Sequence, residues 1–182
     1  NIMFLFRGKI SFVITSTLPV EGKTTILANL ALTFAEIEKR TLILSCNLRN
    51  PQLHKYFRIN NNSGITDWFV SNEPIEKYIL DTYESHLKII NSGEIQHNPS
   101  IIFTSSKFKK LLATLKRKFD VIIIDSPSVI SVNDTALILS IIKNVVMVSR
   151  LRKIDSDTLL KATKIIIENC KAQILGLVLN DY

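Results

Sequence analysis

The chain has no membrane-length hydrophobic run. Apolar residues make up 46 % of its 182 positions, but they fall in short blocks such as TLILS, DVIIID and NVVMVS, far below the ~18 consecutive apolar residues of a spanning helix. The opening NIMFLFRGK lacks a basic start, a long apolar core and a small-residue cleavage site. No signal peptide is read there, and the stretch has the look of the cut end of a longer protein. The two cysteines, Cys46 and Cys170, stand in unrelated apolar contexts without C-x-x-C spacing, which points to buried thiols in a reducing compartment rather than a disulfide framework. The three histidines, His54, His86 and His97, are scattered, with no partner at metal-ligand or triad spacing. Ser16 and Ser126 have no general base nearby in sequence, so nucleophilic catalysis by either is not expected. Glycine is scarce, five residues in all, and one is missing from a telling place. The stretch STLPVEGKTT (Ser16 to Thr25) ends like a phosphate-binding loop, yet Thr17 stands where such a loop usually carries its first glycine.

Charge is present in excess of one sign. Lys and Arg number 23 against 16 Asp and Glu, a formal net charge of +7, which favours anionic partners without choosing among them. The only dense basic run is KFKKLLATLKRK (Lys107 to Lys118). Phe108, Leu111, Leu112 and Leu115 recur in it at helical spacing, so it reads as a solvated amphipathic helix, a membrane or nucleic-acid patch being the alternative.

Along the chain, apolar strand-like runs alternate with amphipathic helix-like runs. That order predicts one α/β domain over 1–182, a doubly wound, mainly parallel sheet with helices on both faces. Strands are expected at Lys9 to Ser16, Arg40 to Asn47, His86 to Gly93, within Phe119 to Ser128, at Asn144 to Arg150 and at Ile174 to Asn180. Helices are expected at about Lys23 to Lys39, Thr66 to Val70, Ile75 to Leu80, Lys107 to Lys118, Asn133 to Ile142 and Ser156 to Cys170. Pro51 to Phe57 reads as a short turn or helix, Asn60 to Gly64 as a breaker, and Asn98-Pro99-Ser100 as a helix entry.

Two pieces carry chemistry. Between a strand and a helix, the backbone N–H groups of a tight turn join the positive end of the helix to hold phosphate oxygens. Gly22 would let the backbone approach the phosphate, Lys23 would reach the terminal phosphates, and the Thr24 hydroxyl would sit on Mg²⁺. Thr25 would touch the inner phosphate or start the helix. The second piece is Asp125, which ends the apolar run Val121 to Ile124 before Ser126-Pro127. A carboxylate there faces the crevice of an open parallel sheet and can hold a Mg²⁺-bound water, whereas a plain strand-ending Asp would accept backbone N–H bonds in the turn.

With these motifs in place, nearly the whole chain resembles the cytoplasmic kinase domain of bacterial tyrosine kinases, the exopolysaccharide and capsule regulators, relatives of the partitioning ATPases. TSTLPVEGKTTILANLA (Thr15 to Ala31) looks like that family's Walker A segment, in which the first glycine is often absent and Pro19 and Glu21 are typical. LILSCNLRNPQLHKYF (Leu42 to Phe57) is similar to its Walker A′ segment, and FDVIIIDSPSV (Phe119 to Val129) to its Walker B. SGEIQHNPS and GLVLN also have counterparts. The resemblance implies ATP or ADP with Mg²⁺ as ligands, held by Glu21, Gly22, Lys23, Thr24, Thr25, Arg150 and Asn180, the last contacting adenine. It implies Lys23 and Asp125 as catalytic groups, and Thr24 and Asp125 at the metal. It further implies protein tyrosines as substrates, a membrane activator or polysaccharide co-polymerase domain as partner, a homo-oligomeric ring, no nucleic-acid partner, and a cytoplasmic place at the inner face of the membrane.

One departure bears on activity. The family's Walker A′ reads Asp-x-Asp before Leu-Arg, and here those positions are Ser45 and Asn47. Neither can act as a carboxylate base or offset Mg²⁺ charge, although both can hydrogen-bond a coordinated water. Three readings follow: a kinase domain with weakened phosphoryl transfer, a non-catalytic nucleotide-binding scaffold, and a partitioning-type ATPase switch. STLPVE lacks the additional early-loop lysine usual in that third class. Arg49 would contact an acidic neighbour or a phosphate, or form a surface salt bridge. The ring-forming Glu-x-x-Arg-x-x-Arg helix and the tyrosine-rich tail of the family are not in this stretch, and Tyr56, Tyr78, Tyr83 and Tyr182 do not cluster.

Overall fold

The computed structural model describes residues 8–94 and 98–181. His97, Tyr182, the opening segment before Gly8 and the middle of SGEIQHNPS lie outside the described residues. Seven strands form one sheet in the order β3-β4-β2-β5-β1-β6-β7. They are β1 (Ile10–Ser16), β2 (Thr41–Ser45), β3 (Leu80–Asp81), β4 (Leu87–Ile90), β5 (Val121–Asp125), β6 (Asn144–Arg150) and β7 (Gln173–Asn180). All pairings are parallel except that of the two-residue β3 with β4.

The central strands are buried on both faces, as parallel sheets require, and their side chains alternate between two cores. Ile43 packs beneath α1 (Lys23–Glu36) and α2 (Leu53–Phe57) with Phe12, Ile14, Leu27 and Phe34. Leu42 and Leu44 face the opposite way, into the larger cluster with Ile122, Ile124, Phe103, Phe108 and Leu115. That second face is covered by α4 (Pro99–Thr104), α5 (Ser106–Lys118), α6 (Asp134–Leu139) and α7 (Ser156–Lys164), while α3 (Ile65–Val70) adds Ile65 and Trp68.

Register decides where chemistry is placed. Arg40 and Asp120 stand just before β2 and β5, and the guanidinium grips the carboxylate through Nε at 3.0 Å and a terminal nitrogen at 2.7 Å. Five residues further on, the same register sets Ser45 beside Asp125, with Ile14 on the other side of Asp125. Because the strands run parallel, Ser16, Ser45, Asp125, Arg150 and Asn180 all finish at one edge of the sheet.

Some elements differ from expectation for local reasons. α1 stops at Glu36 instead of running to Lys39, because Glu38 turns into the left-handed region at φ 59° and its N–H closes on Ala35. The expected helix at Ile75 to Leu80 is a 3₁₀ turn (Ile75–Tyr78) that delivers the chain into β3. The lysine-rich helix has a companion, α4, from which it is separated by Ser105; that residue's hydroxyl accepts the Phe108 N–H at 3.0 Å and caps α5. The helix beginning at Ser156 finishes in a wide π-type turn (Ile165–Asn169). As the spacing predicts, α5 buries Phe108, Leu111, Leu112 and Leu115. Lys107 does not join its solvated face: its ammonium donates to the carbonyls of Trp68, Phe69 and Ser71, closing the end of α3. No helix among the described residues is long and apolar enough to cross a membrane.

Candidate functional site

The loop from Leu18 to Gly22 joins β1 to α1 and is held by its own buried carboxylate. Glu21 is 2 % exposed. Its Oε2 accepts the Leu18 N–H at 2.7 Å and its Oε1 accepts the N–H of Arg150, at the end of β6, at 2.9 Å. A charged acceptor serving two N–H groups makes stronger bonds than a neutral one. The brace holds a costly conformation, since Val20, β-branched and 79 % exposed, sits at φ 65°, where an L-residue loses about 1–2 kcal/mol. Gly22 follows at φ 85°, and a Cβ there would come within 2.1 Å of Asn180 Nδ2. Asn180 approaches so closely because it donates to the Glu21 carbonyl at 3.0 Å. Glycine at position 22 therefore serves the close approach of β7.

Thr17, in the place of the first glycine, is fully buried, and its hydroxyl has no partner. Its side chain is not among those lining the neighbouring cleft.

Lys23, the first residue of α1, reaches across to Asp125 at 2.9 Å. The side chains are 10 % and 0 % exposed, so each charge depends on the other for its stability in the interior. Among the described residues Asp125 accepts no backbone N–H, against the plain strand-capping reading; one of its oxygens takes Lys23, and Oδ2 is buried without a partner there. The adjacent Ser45 Oγ is likewise buried and unpartnered. Two orphaned polar atoms on neighbouring strand ends are rare enough to call for a ligand. A carboxylate oxygen beside a hydroxyl is oxygen chemistry of the kind a hydrated Mg²⁺ accepts. Cys46 is no competitor for that role, because burial, and after it the charge of Asp125, pushes its thiol well above the usual range.

Lys23 also lines a neighbouring cleft of about 500 Å³. Its lining includes Gly22, Thr24 and Thr25 from the loop and α1, Asn47, Arg49, Asn50 and Gln52 from the segment after β2, and Pro127, Ser128, Ser131 and Val132 from the turn after β5. The structure thus gathers Lys23, Thr24, Thr25, Ser45, Asn47 and Asp125 at one edge of the sheet, with Gly22 at the turn. Glu21, Arg150 and Asn180 are beside them, but the bonds observed for the Glu21 carboxylate, the Arg150 N–H and the Asn180 amide are to the loop itself. Arg49 pairs with Asp134 through Nε at 2.7 Å, and the Ser100 hydroxyl donates to the same carboxylate at 3.1 Å. Asp134 is 1 % exposed and Arg49 about half exposed, so this tie fastens the loop after β2 to α6 and is more than a surface salt bridge.

Two contributors were not singled out by sequence reasoning. Pro127 takes hydrogen bonds on its carbonyl from Thr15 at 2.7 Å and Thr135 at 2.8 Å, fixing the turn after Asp125. Asp134 has the sequence signal of an acidic residue in the first turn of a helix, which cannot announce a partner 85 positions away. His54, His86 and the two cysteines gather into no metal cluster among the described residues.

The chain is similar to several known proteins in sequence and fold. A family described as an AAA domain matches residues 20–175. The tyrosine-protein kinase YwqD of Bacillus subtilis is 32 % identical over 170 residues, covering 93 % of this chain and 71 % of that protein. The tyrosine-protein kinase CpsD of Streptococcus agalactiae is 30 % identical over 181 residues, 99 % of this chain and 79 % of that protein. Among solved structures, the chimerical protein CapA2B2 superposes with TM-score 0.92 at 36 % identity, over 99 % of this chain and 80 % of that one. The VpsO kinase domain gives 0.90 at 29 % identity, over 96 % and 85 %. MinD of Pyrococcus horikoshii, solved with Mg-ADP, shares the fold at TM-score 0.75 and 21 % identity, over 95 % and 71 %.

Proposed function

The chain belongs to the bacterial tyrosine-protein kinases of the P-loop ATPase class, and from that premise we propose that it binds Mg-ATP in the cleft that Lys23 lines and regulates exopolysaccharide or capsule synthesis, with phosphoryl transfer to protein tyrosines weakened at Ser45 and Asn47. The observation that carries the reading is the pair of orphaned atoms, Asp125 Oδ2 and Ser45 Oγ, on neighbouring strand ends where Lys23 reaches Asp125. Mg²⁺ held there would supply neutralisation of the phosphate charge. Thr24 and Asp125 would hold it, and Lys23 would turn from Asp125 toward the phosphates. Glu21 and Asn180 keep the loop shaped, and Arg150 lends its backbone N–H to the same brace.

Ser45 and Asn47 supply hydroxyl and amide where two carboxylates would add negative charge at the metal and at the attacking phenol. Phosphoryl transfer relies on positioned charge, so this exchange lowers rate more than binding. The same observation favours a non-catalytic scaffold as the second reading. A membrane activator with a polysaccharide co-polymerase domain, and a ring of copies, belong to the proposal as partners. Such a partner would hold the domain at the inner face of the membrane.

The test combines nucleotide titration with a transfer assay. Mg-ATP binding, reduced in Lys23→Met, is expected, together with weak autophosphorylation that rises at least tenfold in the Ser45→Asp, Asn47→Asp double variant. Strong wild-type transfer that the double variant leaves unimproved would refute the weakening, and absence of any Lys23-dependent binding would refute the nucleotide site itself.

A further inference from the structure

We propose that Tyr83, at the tip of the turn between β3 and β4, is a phosphate-acceptor site of this chain, modified by a tyrosine kinase acting from another molecule; the inference rests on the family reading above and extends it from the donor to the acceptor. The tyrosines differ sharply in availability. Tyr78 is 8 % exposed, and its hydroxyl is engaged with Ser71 at 3.1 Å and Glu73 at 3.2 Å. Tyr56 is 41 % exposed, and its hydroxyl donates to Asn29 at 3.2 Å. Tyr83 is 78 % exposed, and its hydroxyl has no hydrogen-bond partner among the described residues.

The turn is built to hold that ring outward. The Thr82 hydroxyl accepts the Glu84 N–H at 3.1 Å and lies 3.0 Å from the Leu87 carbonyl, while the Leu87 N–H closes on Glu84 at 3.0 Å. One face of the Tyr83 ring rests near Phe57, the last residue of α2, with centroids 6.5 Å apart. The backbone is thus fixed and one side of the ring supported, which leaves the phenolic oxygen as the free end. Asp81, paired with Lys88, and Glu84 flank it, and Lys55 on the neighbouring α2 and Arg58 just after that helix are exposed.

Geometry sets the direction of the reaction. Tyr83 precedes β4, at the strand-entry edge of the sheet, whereas Lys23 and Asp125 occupy the strand-exit edge. No copy can bring its own Tyr83 into its own cleft, so the transfer is between molecules. In that transfer the Tyr83 oxygen attacks the γ-phosphorus of ATP, the bond from that phosphorus to the β,γ-bridging oxygen breaks with its electron pair leaving on ADP, and the phenolic proton passes to solvent. The phosphate arrives next to α2, whose preceding residue Gln52 lines the nucleotide cleft.

The experiment incubates the full chain with Mg-ATP and a catalytic amount of an active bacterial tyrosine kinase domain, then maps phosphate by peptide mass spectrometry in wild type, Tyr83→Phe and Tyr56→Phe. Most of the label on this chain is expected at Tyr83, falling at least fivefold in Tyr83→Phe and unchanged in Tyr56→Phe. Label on Tyr56 or Tyr182 with Tyr83 unmodified, or an unlabelled chain beside a kinase that has labelled itself, overturns the proposal. A nucleotide titration of this chain without the added kinase reports on the cleft separately, so a failed acceptor is distinguished from a failed ATP site.

Discussion

Replacing Glu21 by Gln should loosen nucleotide binding without touching any group proposed to meet the nucleotide. The Glu21 carboxylate accepts one N–H on each oxygen, from Leu18 at 2.7 Å and Arg150 at 2.9 Å. An amide keeps one accepting oxygen and points its NH₂ at the other donor, leaving a part-buried N–H unsatisfied. Such a loss costs about 1–3 kcal/mol, and part of it falls on the bond from β6 that keeps the loop open. If about 2 kcal/mol is charged to the binding-competent loop, the dissociation constant for Mg-ADP rises roughly 30-fold. A second substitution tests the cause. Val20→Gly removes the strain of φ 65°, worth about 1–2 kcal/mol, against an entropy cost of about 0.5–1 kcal/mol for glycine. In the Glu21→Gln background it should recover up to about tenfold in affinity. The assay is isothermal titration of Mg-ADP into the four proteins, with urea midpoints read alongside. An unchanged dissociation constant and urea midpoint for Glu21→Gln would show that the brace holds nothing the ligand needs.

Lys23→Met should destabilise the protein as well as weaken binding, because it leaves the fully buried Asp125 without its cation; removing one partner of such a pair costs about 3–5 kcal/mol, and a wild-type urea midpoint would contradict the pairing. A pH dependence is expected at the far end of the sheet. The hydrogen-bonded Arg40 guanidinium lowers the Asp120 carboxyl from 3.8 to about 2. Its stabilisation is therefore complete above about pH 4 and lost as pH falls toward 2. Arg40 is more than half exposed, so no more than about 1 kcal/mol is at stake; Asp120→Asn should flatten that part of the acid limb of a urea-midpoint titration, and an unaltered limb would refute it.

Much of the architecture was legible because its signals are local. Four apolar residues ending in Asp125 need no distant information to read as a buried strand, and the spacing of Phe108, Leu111, Leu112 and Leu115 marks α5 by itself. The phosphate loop was legible for the same reason, as GKTT lies between a strand and a helix. What escaped depends on partners far away in sequence. Nothing near Glu21 in sequence names the Arg150 N–H that its carboxylate accepts. Asn180 reads as an adenine contact, and its observed bond is to the Glu21 carbonyl. The two residues of β3 are too few to carry an alternation pattern, and the end of α1 at Glu36 has no glycine to announce it. Arg49 left three readings open, since nothing near it in sequence names Asp134.

The contact between Gly22 and Asn180 also orders events in time. A chain emerging from the ribosome has its phosphate loop complete once Thr25 is out, yet that loop gains the Arg150 N–H and the Asn180 amide only after β6 and β7 have been made and paired. About 160 residues separate the two sides of this closure. Contacts so distant in sequence form late, so nucleotide affinity should be among the last properties the folding protein acquires.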